Sequence, residues 1–171
     1  MLATRRAVLL GTAALMSGVD ARADAARSQP LFVIARSKND NVVHYDARVR
    51  DGGRLDPDTP VVAYWVMLAE DGRREGLTWL ERRLAYGFST SFRAGGDALE
   101  LRLRAFSRRP LVVRRGENGL FHAEIALGGG SARLERILVA SDEHGVTPSV
   151  RYFDLFGRRP DGTRVSERIL P

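Results

Sequence analysis

Short runs in which apolar and polar residues alternate, separated by turn signals, constrain the fold of this chain more than any other feature. The clearest run is Ala98–Phe106, where Leu99, Leu101 and Leu103 fall on one face and charged residues fall on the other. This period of two is typical of a half-buried β-strand. Such runs recur at intervals of about 8–18 residues without long helical segments between them, which favours an antiparallel architecture over βαβ units.

The other runs extend the same pattern along the chain. They are Leu31–Ser37, Asn41–Val49, Val61–Ala69, Leu111–Arg115, Leu120–Leu127, Ala132–Ser141, Val150–Phe156 and Arg164–Leu170. Val61–Ala69 is apolar throughout, which predicts a strand buried on both faces at the centre of the sheet. Gly157 is assigned to the last turn. The sequence therefore predicts an all-β, mainly antiparallel fold of about 8–9 strands. We expect a small barrel, closed or nearly closed, and the alternative is a sandwich.

One short helix is predicted within this series of strands. Thr78 and Glu81 have the spacing of a capping box, in which each side chain bonds the backbone amide of the other residue. Leu80 and Leu84 then share one helical face, and Gly87 is a suitable end signal.

The first 25 residues have the pattern of an export signal. Arg5 and Arg6 follow a threonine and precede a modest apolar stretch, Ala7–Met16, which matches the twin-arginine pattern. This stretch is well short of the ~20 residues needed to span a bilayer. We predict a twin-arginine signal peptide over residues 1–25, with the general secretory route as the alternative. Residues 26–171 are predicted to be a single soluble domain, not a transmembrane protein, located in the periplasm or secreted.

The charge distribution argues against nucleic-acid binding. The net charge is +6, but the arginine doublets are scattered along the sequence rather than gathered on one segment with interleaved aromatic residues. The absence of cysteine excludes disulfides, thiolate metal sites and thiol nucleophiles.

No pattern in the sequence specifies a reaction, a metal site or a cofactor. His44 with Asp46, and His122 with Glu124, each share a strand face. Those four side chains could converge if their strands were neighbours, but polar residues on a solvated face are the default interpretation. A Gly-x-Ser-x-Gly elbow is absent, and Gly128–Ser131 lacks the end of a phosphate loop. Neither catalytic residues nor a cofactor are predicted.

The polar segment Arg36–Asn41 is the strongest candidate for a ligand site. Of the 27 basic residues only Lys38 is a lysine, and an ammonium group offers a compact, titratable charge that arginine lacks. The alternative is an ordinary polar hairpin turn. Nearby aromatic residues could form a wall of the site or belong to the core. The candidate ligand-binding residues are Arg36, Ser37, Lys38, Asn39, Asn41, Tyr45 and Tyr64.

Four segments resemble an uncharacterised family of exported bacterial proteins, a domain of unknown function. They are Leu31–Asn39, Val42–Ala47, Pro60–Val66 and Leu80–Gly87. The resemblance covers residues 31–170 and implies a small exported domain without an assigned activity. The Arg-Ser-Lys-Asn segment resembles the hallmark of that family, which supports the lysine and asparagine of this segment as site candidates.

Three hypotheses for function follow. The leading one is an exported, non-enzymatic protein that binds a small molecule or a component of the cell envelope. The second is an envelope hydrolase that uses His44, Asp46 and Lys38, which requires those side chains to meet around one pocket. The third is a purely structural or interaction domain with an exposed apolar patch. The sequence leaves the oligomeric state open.

Overall fold

A computed structural model describes residues 26–96, 98–142 and 149–171 and shows an all-β chain with one short α-helix. Residues 1–25, and with them the predicted signal peptide, lie outside this range. The strands are β1 Arg27–Arg36, β2 Asn39–Arg50, β3 Arg54–Leu55, β4 Val61–Val66, β5 Arg74–Gly76, β6 Phe88–Phe92, β7 Ala98–Leu103, β8 Leu111–Arg115, β9 Phe121–Leu127, β10 Gly130–Asp142, β11 Ser149–Arg158 and β12 Arg164–Ile169. Helix α1 is Trp79–Leu84, and Arg104–Phe106 form a 3-10 turn.

All the strands belong to one sheet that curls into an open half-barrel. Its main path runs β5-β4-β2-β1-β10-β9-β8-β7-β6, with β11 and β12 continuing from β10 and β3 pairing with β2. The predicted all-β class with one short helix is confirmed. Of the two architectures left open, the barrel is closer. The expected closed or nearly closed form is wrong, because the described strands form an open half-barrel whose edge strands β5 and β6 do not pair.

One parallel contact makes this otherwise antiparallel sheet mixed. Strand β10 is long, and only Gly130–Arg133 pairs with β9. The free edge of Arg136–Val139 is covered by β1, which runs parallel to it over Val33–Arg36. This junction joins the first strands of the chain to the later meander.

The inner face of the sheet, defined as the side that carries Val43 and Tyr45, holds the core. Both residues are fully buried, as are the alternating residues Leu99, Leu101 and Leu103 of β7, as predicted. Burying a leucine side chain stabilises the fold by about 1.5–3 kcal/mol, so the period of two places the driving force on one face.

Two details of the predicted strands are wrong. The strand predicted over Val61–Ala69 lies next to the edge strand β5 and not at the centre of the sheet. It ends at Val66, because the Glu70 and Gly72 amides donate to the Met67 carbonyl and the chain turns back. Gly157 lies within β11 rather than in a turn. A Cβ there would lie 2.6 Å from the Arg133 carbonyl oxygen, so the close approach of β10 and β11 requires glycine.

Helix α1 begins with the predicted capping box. The Glu81 amide donates to Thr78 Oγ1 at 3.3 Å, and the Thr78 amide donates to Glu81 Oε2 at 2.8 Å. The helix ends at Leu84, before Gly87, and none of its six residues is buried. Among the described residues, no helix is long and apolar enough to cross a membrane.

Candidate functional site

A cavity of about 250 Å³ opens on the inner face where β1, β10 and β11 meet. The parallel pairing sets Ile34 opposite Ile137 and Arg36 opposite Val139, so these side chains line one wall. The opposing walls come from the residues after α1 and from the 3-10 turn after β7. The full lining is Ile34, Arg36, Lys38, Ala85, Tyr86, Leu103, Ala105, Phe106, Ile137, Val139, Ser141, Val150 and Phe153.

Arg36 brings a positive charge to this mostly apolar wall. Its Nε is buried and has no hydrogen-bond partner among the described residues, while its Cζ lies 4.7 Å from the centroid of the Trp65 ring. Such a cation–π contact stabilises the guanidinium without using its N–H donors. The Trp65 ring also meets Tyr86 edge-on, with ring centroids 5.1 Å apart. Arg36 is therefore held by an aromatic face and keeps a donor that no described residue satisfies.

Glu81 connects helix α1 to this wall. Its Oε1 accepts from Trp65 Nε1 at 3.0 Å. Burial alone would raise the pKa of the Glu81 carboxyl, but hydrogen bonds from Thr78 and Trp65 and the charge of Arg36 hold this pKa below its ordinary value. The ionised carboxylate thus fixes the tryptophan on which Arg36 rests.

The polar turn between β1 and β2 contributes one further residue to the cavity. Lys38 is exposed and lines the cavity, whereas Ser37 and Asn39 are exposed without lining it. Asn39 lies opposite Arg36 across the hairpin, and the Ser37 amide donates to the Val139 carbonyl at 3.2 Å. The structure therefore joins Arg36 and Lys38 at the cavity and leaves Ser37 and Asn39 at the tip of the turn.

Asn41 and Tyr45, also predicted as site residues, have structural contacts instead. Asn41 is buried, and its Oδ1 accepts from the Ala69 amide at 2.9 Å, which holds the turn after β4. The Tyr45 hydroxyl donates to the Tyr86 carbonyl at 2.7 Å, and its ring stacks on Phe32. Burial raises the pKa of Tyr45 well above its ordinary value. Neither side chain lines the cavity.

Tyr64 lies on the outer face, in a second polar cluster centred on Asp46. Asp46 is buried, and its Oδ2 accepts from the Tyr64 hydroxyl at 2.8 Å and from Ser28 Oγ at 2.7 Å. Burial, with the bond to Asp46, raises the pKa of Tyr64 to about 12. His44 stacks on Tyr64, with ring centroids 5.6 Å apart. Burial lowers the pKa of His44, against a smaller opposing effect of the Asp46 charge.

These positions separate the three side chains of the hydrolase hypothesis. His44 and Asp46 alternate with the inner residues Val43 and Tyr45 and so lie on the outer face. Lys38 lines the cavity on the inner face. The structure does not bring the three around one pocket.

The two histidine–acid pairs also remain apart. His122 Nε2 lies 2.9 Å from Glu124 Oε1 on β9, but β1 and β10 stand between β9 and the strand of His44. Among the described ranges, no three His, Asp or Glu side chains are grouped closely enough to hold a metal ion.

The sequence pattern did not reveal most of the cavity lining. Ile137 and Val139 of β10 and Phe153 of β11 occupy inward positions, as in any core strand. Alternation predicts which face of the sheet a side chain occupies, but it does not predict a cavity beside that face. Tyr86 could have been noticed as an aromatic residue directly after a predicted helix. The other signal was Arg36, an arginine at an inward position of an apolar strand.

The family described as Domain of unknown function (DUF4833) matches residues 32–168. The chain belongs to this family. The predicted membership in a domain-of-unknown-function family is thereby confirmed, and the DUF4833 match includes every residue that lines the cavity. No curated protein and no solved structure matches the chain.

Proposed function

We propose that this DUF4833 domain binds a small amphipathic anion in the cavity of the inner face. The apolar part of the ligand packs against Ile137, Val139 and Phe153, and its anionic group is directed to Arg36 and Lys38. The observation that supports this proposal is an apolar cavity lined by Arg36, a cation that has no carboxylate within 4.0 Å among the described residues and whose buried Nε has no hydrogen-bond partner there. The geometry favours binding over hydrolysis because the three proposed catalytic side chains do not meet.

The size and chemistry of the cavity restrict the ligand. Pockets for drug-sized molecules occupy roughly 300–1,000 Å³. At about 250 Å³ this cavity suits a smaller molecule, such as a medium-chain or aromatic carboxylate. A guanidinium at an apolar cavity favours an anionic ligand, because a charge-assisted hydrogen bond to a carboxylate is about twice as strong as a neutral one. The ligand class is therefore a short carbon skeleton with one anionic end.

Octanoate is a suitable probe, and octylamine, which has the same chain length and the opposite charge, is its control. Isothermal titration calorimetry should detect octanoate binding and little or no binding of octylamine. Arg36→Met should weaken octanoate binding about tenfold, because it removes one charge-assisted hydrogen bond of about 1.5 kcal/mol. Arg48→Met is the matched control, because the Nε of Arg48 is also buried and unbonded but does not line the cavity.

A second variant separates the cavity from the charge. Val139→Phe places a ring in the cavity from a half-buried position and should abolish octanoate binding while the cooperative unfolding transition is retained. If wild-type protein binds octylamine as well as octanoate, or if Val139→Phe binds like wild type, the proposed site is wrong. A folded chain that binds no small anion would favour the structural or interaction role.

We further propose that the domain acts outside the cytoplasm, after export through the twin-arginine route. The support is the sequence of residues 1–25, in particular Arg5 and Arg6 ahead of a weakly apolar stretch. Replacing both by lysine should retain the precursor in the cytoplasm, as seen by cell fractionation, whereas Arg27→Lys should not. A twin-lysine chain that still reaches the periplasm contradicts the twin-arginine route, and a wild-type chain that stays in the cytoplasm contradicts export.

A further inference from the structure

Helix α1 turns an apolar face to solvent. Trp79, Leu80 and Leu84 are 69%, 57% and 64% exposed, so these apolar side chains of the helix lie outside the core. At about 100° per residue, these three side chains and Arg83 lie within an arc of roughly 140°. Glu81 falls outside this arc and holds the helix to Trp65. We define Trp79, Leu80, Arg83 and Leu84 as the α1 face.

The surroundings of the α1 face are basic. Trp79 and Leu84 share a shallow groove of about 510 Å³ with Arg82, Arg83 and Arg104. In the described part of the chain, none of these three arginines has a carboxylate within 4.0 Å. Arg83 lies over the Trp79 ring, with its Cζ 5.2 Å from the ring centroid, and Arg82 Nε donates to the Leu77 carbonyl. Apolar surface and unneutralised positive charge therefore occur together.

We propose that the α1 face docks the domain on the surface of an anionic lipid bilayer. Tryptophan is enriched at the level of lipid headgroups, leucine side chains enter the acyl boundary, and arginines near the surface attract anionic headgroups. A soluble polyanion would match the three arginines but leave Trp79, Leu80 and Leu84 without a partner. A purely apolar partner would leave the arginines desolvated and unpaired. An anionic bilayer satisfies both kinds of side chain.

The position of the α1 face adds a geometric argument. Ala85 and Tyr86, which follow the helix, line the cavity, and so do Ala105 and Phe106, which follow Arg104. A domain docked through α1 therefore holds this end of the cavity close to the bilayer. The docking itself goes beyond the proposed function and does not depend on it, because it requires only the exposed face and its arginines.

Vesicle co-sedimentation tests the proposal with the chain from residue 26 onward, which contains every described strand, the helix and the core. The vesicles are an equimolar mixture of phosphatidylglycerol and phosphatidylcholine, or phosphatidylcholine alone. We expect at least tenfold stronger partitioning into the anionic vesicles and a loss of this preference at high salt, since exposed charges are screened. Brominated lipid should quench the exposed Trp79, whereas Trp65 is buried.

Two sets of variants separate the apolar and basic contributions. Leu80→Ser with Leu84→Ser should lower partitioning at least tenfold in anionic vesicles. Arg83→Gln and Arg104→Gln should each lower it about fivefold, without affecting partitioning into phosphatidylcholine. The matched control is Leu120→Ser with Leu170→Ser, because these leucines are 50% and 73% exposed outside the α1 face. All four leucines are exposed, so the variants should fold.

Each remaining result either supports or overturns the docking surface. Equal partitioning of wild type into anionic and neutral vesicles, or wild-type binding by the leucine double variant, overturns it. A concentration-dependent dimer that the leucine double variant abolishes would assign the α1 face to a second copy of the chain and also overturn it. Val139→Phe should partition like wild type, and the leucine double variant should bind octanoate like wild type, so failure of either proposal is seen independently.

Discussion

Arg36 and Asp46 carry charged side chains on opposite faces of the same sheet, and the two charges have different surroundings. Each has one buried atom, Arg36 Nε or Asp46 Oδ1, to which no residue in the described ranges makes a hydrogen bond. The other oxygen of Asp46 accepts from Ser28 and Tyr64, so protein side chains satisfy one of the two carboxylate oxygens. Arg36 instead rests on an aromatic ring beside a cavity. We therefore expect Asp46 to stabilise the fold, whereas Arg36 is the residue to which we assign the proposed ligand.

The largest expected effect on stability comes from removing the charged residue of the outer face. Asp46→Ala removes the acceptor of two hydrogen bonds in a buried position and leaves both donors unpaired. We expect the free energy of unfolding to fall by about 3 kcal/mol, measured by urea denaturation. Asp58→Ala, at an exposed aspartate, is the control. If Asp46→Ala lowers the free energy of unfolding no more than Asp58→Ala does, the Asp46 cluster does not stabilise the fold.

A smaller loss is expected for one of the two donors. Tyr64→Phe removes the hydroxyl that donates to Asp46 and keeps the ring that stacks on His44. The free energy of unfolding should fall by about 1–1.5 kcal/mol, because the acceptor is charged and the tyrosine is only half-buried. In a double-mutant cycle with Asp46→Ala, the two losses should not add. Additive losses would contradict a direct contribution of this bond.

Removing the charged residue of the inner face should have little effect on stability. Arg36→Met replaces a guanidinium that has an unsatisfied donor by an apolar chain of similar length. Because the loss of the cation–π contact with Trp65 is offset by the removal of this unpaired donor, the free energy of unfolding should change by less than about 1 kcal/mol. A loss as large as that of Asp46→Ala would assign Arg36 a structural role like that of Asp46.

The sequence predicted the strands of both faces but not the difference between them. Alternation placed Leu99, Leu101 and Leu103 in the core because side-chain direction in a strand depends only on local backbone geometry. The roles of Asn41 and Tyr45 depend on the Ala69 amide and the Tyr86 carbonyl, which reach them only through tertiary folding. Composition and spacing could not separate these residues from true site residues.

The cavity could not be predicted for a related reason. It exists because β1 pairs in parallel with β10, from which it is separated by about a hundred positions in the chain. A strand pattern does not specify a partner at such a distance, and an expected meander of neighbours gives no parallel contact. Arg36 was predicted for its place in a polar segment, whereas its importance in the structure comes from the buried wall beside it.

The smallest expected effect is a dependence of stability on pH that belongs to the outer face. Burial lowers the pKa of His44 from 6.5, so below pH 6.5 the unfolded chain takes up a proton that the folded chain resists. The contribution of His44 to stability is therefore complete above pH 6.5 and is lost progressively as the pH falls from there towards the lowered pKa. Urea midpoints at pH 7.5 and pH 5.5 measure this loss.

His44→Gln should make the two midpoints more similar, because glutamine does not titrate and can occupy the same half-buried position beside Tyr64. The carboxylates whose pKa is lowered, such as Asp56 and Asp154, lose their contributions only near and below pH 3.8, outside this window. Arg36→Met should retain the full wild-type pH dependence, because Arg36 belongs to the other face. If His44→Gln loses as much stability between pH 7.5 and pH 5.5 as wild type does, burial of His44 makes no contribution in this range, and the polar cluster of the outer face stabilises the fold without it.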